Sequence, residues 1–269
     1  MKPVRVPDLR AMKHRGEKIS VLTAYDYTMA RLLDRAGIDV ILVGDSVGMV
    51  VLGFDNTLPV TLDMMIHHTR AVSRGAKRAL IVADMPFLTF QLNMEEAMRN
   101  AGRLIQEGGA AAVKIEGGRH IADTAKRLVD IGIPVMGHLG LTPQSVHQLG
   151  GFRPQGRDSE AADRLLKEAD SLEKAGVFAI VLESIPADLA GRLTASLKVP
   201  TIGIGAGPQC DGQVLVINDM LGFSDGSVPP FAKQYAQLSE QIVAAARAYI
   251  EDVRAQAERV QARQGAASE

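Results

Sequence analysis

The sequence predicts an α/β fold, a single (β/α)8 TIM barrel with helical extensions at both ends, and three features carry that prediction. Short apolar runs recur along the chain, most of them end in a polar or ionisable residue, and the intervals between them mostly have helical patterning. Six runs read VLTAYD to Asp26, VILVGDS to Asp45, LIVADMP to Asp84, AVKIEGG to Glu116, PVMGHLG to His138 and AIVLES to Glu183. A seventh, TIGIGAG, ends in glycines, and an eighth, QVLVIND, ends in Asn218 and Asp219. Barrels of this kind place their chemistry at the C-terminal ends of the strands, so the terminal acids predict an active rim. The length of 269 residues suits one such domain, typically about 250 residues.

Each strand is a Val-, Ile-, Leu- or Ala-rich run without alternation, as a parallel sheet covered on both faces requires. They are expected near 20–24, 39–43, 79–83, 111–115, 133–137, 178–182, 200–204 and 213–217. Helices fit the intervals. Residues 27–36 carry Met29, Leu32 and Leu33, with Gly37 as C-cap, and Thr61 or Asp63 can cap a helix from Met64 to Arg74, ended by Gly75. Asn93 can cap 94–106, whose stripe is Met94, Ala97, Met98, Ala101 and Ile105, and Gly108-Gly109 stop it. Residues 119–131 and 158–175 repeat the pattern, ending at Gly132 and Gly176. A further helical stripe over 231–258 holds Phe231, Tyr235, Leu238, Ile242, Ala245, Ala246 and Tyr249, and 260–269 reads as a frayed tail. Short connections between strand and helix give right-handed crossovers. Two connections are long, 46–62 and 138–157; rich in Gly and apolar residues, they read as ordered lids or substrate loops within one domain spanning 1–269.

Composition narrows the function. Thirty Lys and Arg against 31 Asp and Glu leave a net charge of −1, which argues against a nucleic-acid surface. One cysteine, Cys210, excludes an internal disulfide framework and fits a reducing cytoplasm. The charged N-terminus lacks the apolar core of a secretory signal, and no apolar run nears the roughly 20 residues that span a bilayer.

The chemistry concentrates in a few residues. Asp45, Asp84 and Glu116 end the second, third and fourth strands. Three carboxylates converging there repel unless a cation or protons offset them, and hard oxygen ligands select Mg²⁺ or a similar ion. The structural alternative is that each is a helix cap or a rim ion pair. Lys114 lies two residues before Glu116, so both point to one face. It reads three ways: an anion partner, a Schiff-base lysine, or a lysine paired to neighbouring acids. Glu183, away from the acid group, suits a general base or caps the helix near Pro186. His138 is a candidate substrate or proton partner beside a purely structural role, while His67 and His68 read as outer packing. The glycines of GIGAG at 203–207 offer backbone N–H groups to an anion, a weak signal by itself.

In order, these stretches resemble the ketopantoate hydroxymethyltransferase family. The pieces are TAYD (23–26), VGDSVGMVVLGFDNTLPVTLDMM (43–65), ADMPF (83–87), VKIEGG (113–118), GHLGLTPQS (137–145), QGR (155–157), LES-IP (182–186) and IGIGAGPQCDGQVLVINDMLG (202–222). Ser184 stands where many relatives have Cys, and Pro154 where Val is frequent. The resemblance implies a barrel like those of the phosphoenolpyruvate mutase/isocitrate lyase superfamily, a homodecamer, and Mg²⁺ held by Asp45, Asp84 and Glu116. It implies that Asp45, Ser46, Asp84 and Lys114 hold the keto acid and that Glu183 accepts a proton. It further implies hydroxymethyl transfer from 5,10-methylenetetrahydrofolate to 3-methyl-2-oxobutanoate through a metal-stabilised enolate, with Val47, Met49 and Val50 near the isopropyl group. Rival readings are a Mg²⁺-dependent lyase or mutase of the isocitrate lyase type, a Schiff-base aldolase, and a barrel that only binds a small acid.

Overall fold

The computed structural model describes residues 2–224, 226 and 228–266, with side chains as far as residue 256. They form two compact units, Met1–Val216 and Ile217–Glu269. The first is a closed barrel of eight strands in sequence order. Its elements are α1 (Val6–Arg15), β1 (Ile19–Thr23), α2 (Tyr27–Ala36), β2 (Val40–Val43), α3 (Val47–Val50), α4 (Leu62–Gly75), β3 (Leu80–Asp84), α5 (Met94–Gln106), β4 (Ala112–Glu116), α6 (Ala122–Asp130), β5 (Val135–Gly140), α7 (Ser159–Ala175), β6 (Ala179–Glu183), α8 (Ala187–Ser196), β7 (Thr201–Ile204) and β8 (Gly212–Leu215). The second holds α9 (Ile217–Leu221) and α10 (Leu238–Ala266).

All eight strand pairings are parallel, and β1 closes on β8 through Ile19↔Gly212 to Leu22↔Leu215. Side-chain caps organise the helices, Thr61 and Asn93 as read in the sequence and Asp26 and Asp158 besides. Asp26, Thr61, Asn93 and Asp158 accept from the backbone N–H groups of Met29, Met64, Glu96 and Ala161. Gly37 and Gly176 close α2 and α7 in the left-handed conformation, which glycine adopts without a Cβ penalty. Asp26 is therefore a helix cap.

The barrel interior is filled by side chains from alternate strand positions, including Val21, Val40, Leu80, Val82, Ala112, Met136, Ala179, Val181, Ile202 and Val214. Leu9 of α1 is fully buried in the same cluster. That cluster also holds Ile19, Val40, Leu80, Ala112 and Ala179, which begin their strands, so α1 plugs the N-terminal mouth. Lys13 fixes that plug, donating to the carbonyls of Thr194 at 2.9 Å and Val199 at 3.1 Å and pairing with Asp211 at 2.9 Å. With that mouth sealed, the C-terminal end is left for chemistry.

Four expectations are corrected. The eighth strand stops at Leu215, and Asn218 and Asp219 lie on α9, where the Asn218 amide donates to the Phe223 carbonyl. The segment 119–131 opens with a 3-10 turn, Arg119–Ile121, ahead of α6. The last helix starts at Leu238, because upstream N–H groups go elsewhere: Ala232 to Pro229 and Tyr235 to Met220. It runs to Ala266, through much of the expected tail, since Ala, Gln, Arg and Glu favour helix. Residues 267–269 of that tail lie outside the described residues.

Candidate active site

Strand alternation brings the predicted residues together. On β4, Ala112 belongs to the interior cluster, so Lys114 and Glu116, two and four residues on, face inward as well. Val82 and Asp84 on β3, Met136 and His138 on β5, and Val181 and Glu183 on β6 follow the same rule. The register sets Asp84 beside Lys114 and Glu116 beside His138. Asp45 lies just past β2, and its N–H donates to Asp84 Oδ2 at 3.1 Å. Asp45, Asp84, Lys114, Glu116 and His138 are all buried.

Each of the three acids has one oxygen tied by a neutral donor. Asp84 Oδ2 takes the Asp45 N–H, Glu116 Oε2 the Gln144 N–H at 2.9 Å, and Asp45 Oδ2 the Gln144 carboxamide at 2.9 Å. The other oxygens of two acids turn to Lys114, whose Nζ is 3.2 Å from Asp84 Oδ1 and 3.9 Å from Glu116 Oε1. The same ammonium lies 3.0 Å from His138 Nδ1, and His138 Nε2 lies 3.1 Å from Glu183 Oε2.

These contacts set the charges. Burial, then the charges of Asp84 and Glu116, push the Asp45 carboxyl well above its usual range; Lys114 and Gln144 offset this only in part. Burial also raises Asp84, against the pull of Lys114. Glu116 is lowered: burial opposes its charge, but His138, Lys114 and the Gln144 N–H outweigh it. Burial opposes the charge on Lys114 too, yet Asp84, Glu116 and Asp45 hold it as an ammonium above its ordinary value. Burial and Lys114 disfavour a charged His138, while the carboxylates of Glu116 and Glu183 hold it up at about 9. The 3.0 Å contact with Lys114 favours an Nδ1 that accepts, hence a neutral ring. An ammonium at this distance repels a second proton on the ring. In either state Nε2 carries a hydrogen, and it lies 3.1 Å from Glu183 Oε2 without the alignment of a hydrogen bond.

Glu183 does not cap α8: Pro186 occupies that N-cap without a side-chain bond. Its carbonyl accepts from the Leu141 N–H at 2.9 Å, and the next residue, Ser184, takes a left-handed φ of 48° between bonds to Ile204 and Gln155. Ser46 Oγ pairs with the buried Tyr25 hydroxyl at 2.8 Å. Of the apolar loop residues, Val47 is fully buried and Met49 exposed. His68 Nδ1 contacts the Tyr25 carbonyl at 2.7 Å, and His67 faces outward. Gly205 and Gly207 turn the chain after β7 with φ of 60° and 77°. Sequence reading gave no role to Gln144 or Tyr25, although both lie in the quoted stretches TPQS and TAYD. Neither carries a charge that would single it out.

Among the described residues, no three His, Cys, Asp or Glu side chains form a ready-made metal ligand set. Lys114 stands between two of the acids instead. The donor chemistry nonetheless fits a hard divalent ion of the Mg²⁺ type, which commonly uses one or two carboxylates and completes its shell with water and substrate oxygens. The raised Asp45 carboxyl marks an excess of buried negative charge that such an ion would relieve.

A parallel barrel with buried acids, a lysine and a histidine at its C-terminal strand ends defines an α/β-barrel enzyme. The sequence model of ketopantoate hydroxymethyltransferase matches residues 3–257. A 3-methyl-2-oxobutanoate hydroxymethyltransferase of Syntrophus aciditrophicus is 60% identical over 246 residues, 91% of this chain and 90% of the relative. That of Moorella thermoacetica is 60% identical over 251 residues, 93% of each. The chain belongs to the ketopantoate hydroxymethyltransferase family. Among solved structures, the fold is similar to a phosphonopyruvate hydrolase complex with oxalate and Mg²⁺ (TM-score 0.62, 14% identity, 94% of this chain and 88% of that one). It is also similar to 2,3-dimethylmalate lyase of the PEP mutase/isocitrate lyase superfamily (TM-score 0.59, 19% identity, 93% and 87%). No helix among the described residues is long and apolar enough to cross a membrane.

Proposed function

We propose that this enzyme transfers a hydroxymethyl group from 5,10-methylenetetrahydrofolate to 3-methyl-2-oxobutanoate, releasing 2-dehydropantoate (ketopantoate) and tetrahydrofolate, with Mg²⁺ as cofactor, as the first step of pantothenate synthesis. The observation that carries this reading is the separation of two groups at one barrel end. Asp45, Asp84 and Glu116 crowd around Lys114, whereas Glu183 lies beyond them against His138.

Asp45 and Asp84 would hold the cation, with Glu116 beside it. Bound there, Mg²⁺ supplies a Lewis acid for the keto acid's oxygens. Lys114, kept charged by its carboxylates, offsets the substrate carboxylate, and Ser46, oriented by Tyr25, offers a hydrogen bond. Glu183 accepts the C3 proton, with His138 Nε2 3.1 Å from its carboxylate. The C3 carbanion then forms its bond to the one-carbon unit and water supplies the hydroxyl oxygen; both C–N bonds of the methylene bridge break, their electron pairs stay on the folate nitrogens, and these take up the proton held by Glu183 and one from water, giving tetrahydrofolate.

The phosphonopyruvate hydrolase neighbour, which binds oxalate and Mg²⁺, supports a small 2-oxo acid beside a metal, and leaves a folate-independent lyase as the second reading. An assay of ketopantoate formation with folate supplied or omitted tests both. Product only with folate is expected, and turnover without it overturns the transferase reading. A buried ammonium held charged is a poor amine nucleophile, so borohydride should trap no substrate on Lys114. The proposed homodecamer is checked by light scattering of the purified enzyme.

A further inference from the structure

We propose that Gln144 is a positioning residue for the acid cluster: its carboxamide holds Asp45 Oδ2 and leaves Oδ1 as the Asp45 oxygen that meets the cation. This rests on the metal reading above.

Gln144 lies in the 3-10 turn Pro143–Ser145 after β5, across the barrel mouth from Asp45 at β2. It is buried, and every polar atom of its side chain is used. Nε2 donates to Asp45 Oδ2 at 2.9 Å and to the Met85 carbonyl at 3.0 Å, and Oε1 accepts from Gln91 Nε2 at 3.2 Å. Its main-chain N–H holds Glu116 Oε2 at 2.9 Å. One residue thus supplies two of the three neutral tethers in the cluster and joins the end of β4 to the loops after β2, β3 and β5.

The orientation of both amides follows from backbone groups with a single role. The Phe90 N–H can only donate, at 3.3 Å, so Gln91 Oε1 faces it and Gln91 Nε2 faces Gln144. The Met85 carbonyl can only accept, so Gln144 turns its NH₂ toward Met85 and Asp45. An amide NH₂ accepts nothing, so Asp45 must present a bare oxygen to it. Among the described residues, Asp45 Oδ1 takes no hydrogen bond. A carboxylate pinned at one oxygen in this way presents the other in a fixed direction, which lowers the ordering cost of metal binding.

The test measures Mn²⁺ uptake by loss of the free-ion EPR signal, without keto acid, on the full-length enzyme. Mn²⁺ takes the same oxygen ligands as Mg²⁺. Gln144→Met keeps the side-chain length but cannot donate, and weaker Mn²⁺ binding by about 10–100-fold is expected, as for other residues that orient a metal ligand. Gln91→Met, at an exposed position, removes the donor to Gln144 Oε1 together with the acceptor of the Phe90 N–H, and should give a smaller loss in the same direction. Should Gln144→Met fail to fold, judged by its melting curve, Gln91→Met decides alone. Wild-type Mn²⁺ affinity in the folded variants overturns the role of Gln144 while leaving the metal reading intact. If the unmodified enzyme takes up no more Mn²⁺ than Asp84→Ala, the metal reading falls and this inference with it.

Discussion

The main-chain N–H of Asp45 donates to Asp84 Oδ2 across 3.1 Å, so the ends of β2 and β3 are joined through a carboxylate. Asp84 thereby shapes the Asp45 backbone while its other oxygen faces Lys114. Asp84→Ala removes both contacts. With Mg²⁺ in excess, kcat/KM should fall by at least about 100-fold, equivalent to about 2.7 kcal/mol of lost transition-state stabilisation. Turnover at the normal rate would remove Asp84 from the metal site.

Glu183 stands apart from that cluster, in contact with His138. Glu183→Gln keeps the shape and removes the base, so solvent deuterium exchange at C3 should drop by about 10²–10⁴-fold. Proton NMR of the keto acid reads this directly, and Mn²⁺ uptake should not change. Undiminished exchange would move the base elsewhere.

The raised Asp45 carboxyl has a consequence for stability. Its folded-state pKa exceeds the unfolded value of about 3.9, so ionising it weakens the fold as pH rises past that value. Asp45→Asn removes this cost. Without metal, the variant should melt above the parent at pH 7, by about 2–4 °C per kcal/mol regained, and the gap should close near pH 3. Activity should be lost at the same time. A variant that melts lower at pH 7 would mean that Asp45 carries no such strain.

Gly140 has a φ of 92°, and a Cβ there would collide with the Glu183 carbonyl oxygen. Gly140→Ala therefore disturbs the backbone that carries the base, and left-handed strain of this kind costs about 1–3 kcal/mol. A lower melting temperature and slower C3 exchange are expected, with Mn²⁺ uptake retained. Loss of Mn²⁺ uptake along with exchange would show that β5 and the acid cluster move together.

Much of this was legible in the chain. Non-alternating apolar runs specify strands buried on both faces, and Thr61 and Asn93 mark helix starts because their short oxygens reach the free N–H groups of a first turn. Asp26, which reads as a strand end, caps a helix in the same way. Lys114 and Glu116 share a face by strand period alone. The eighth run misleads because apolar residues that continue past a strand suit a helix equally well, and Asn218 and Asp219 belong to α9, not to a strand end.

The sequence by itself determined the barrel, the end at which its ionisable residues gather, and the family resemblance. Tertiary structure alone decided how they share charge. Lys114 lies within 4 Å of Asp84, Glu116 and His138, which come from three strands, and no local pattern encodes that crowding. Nor could a local pattern show Gln144 reaching Asp45, because its amide is neutral and acquires its role only where closure of the barrel brings the loops after β2 and β5 together. Periodicity is a property of neighbours in the chain, whereas charge sharing depends on distances that exist only once the sheet has closed.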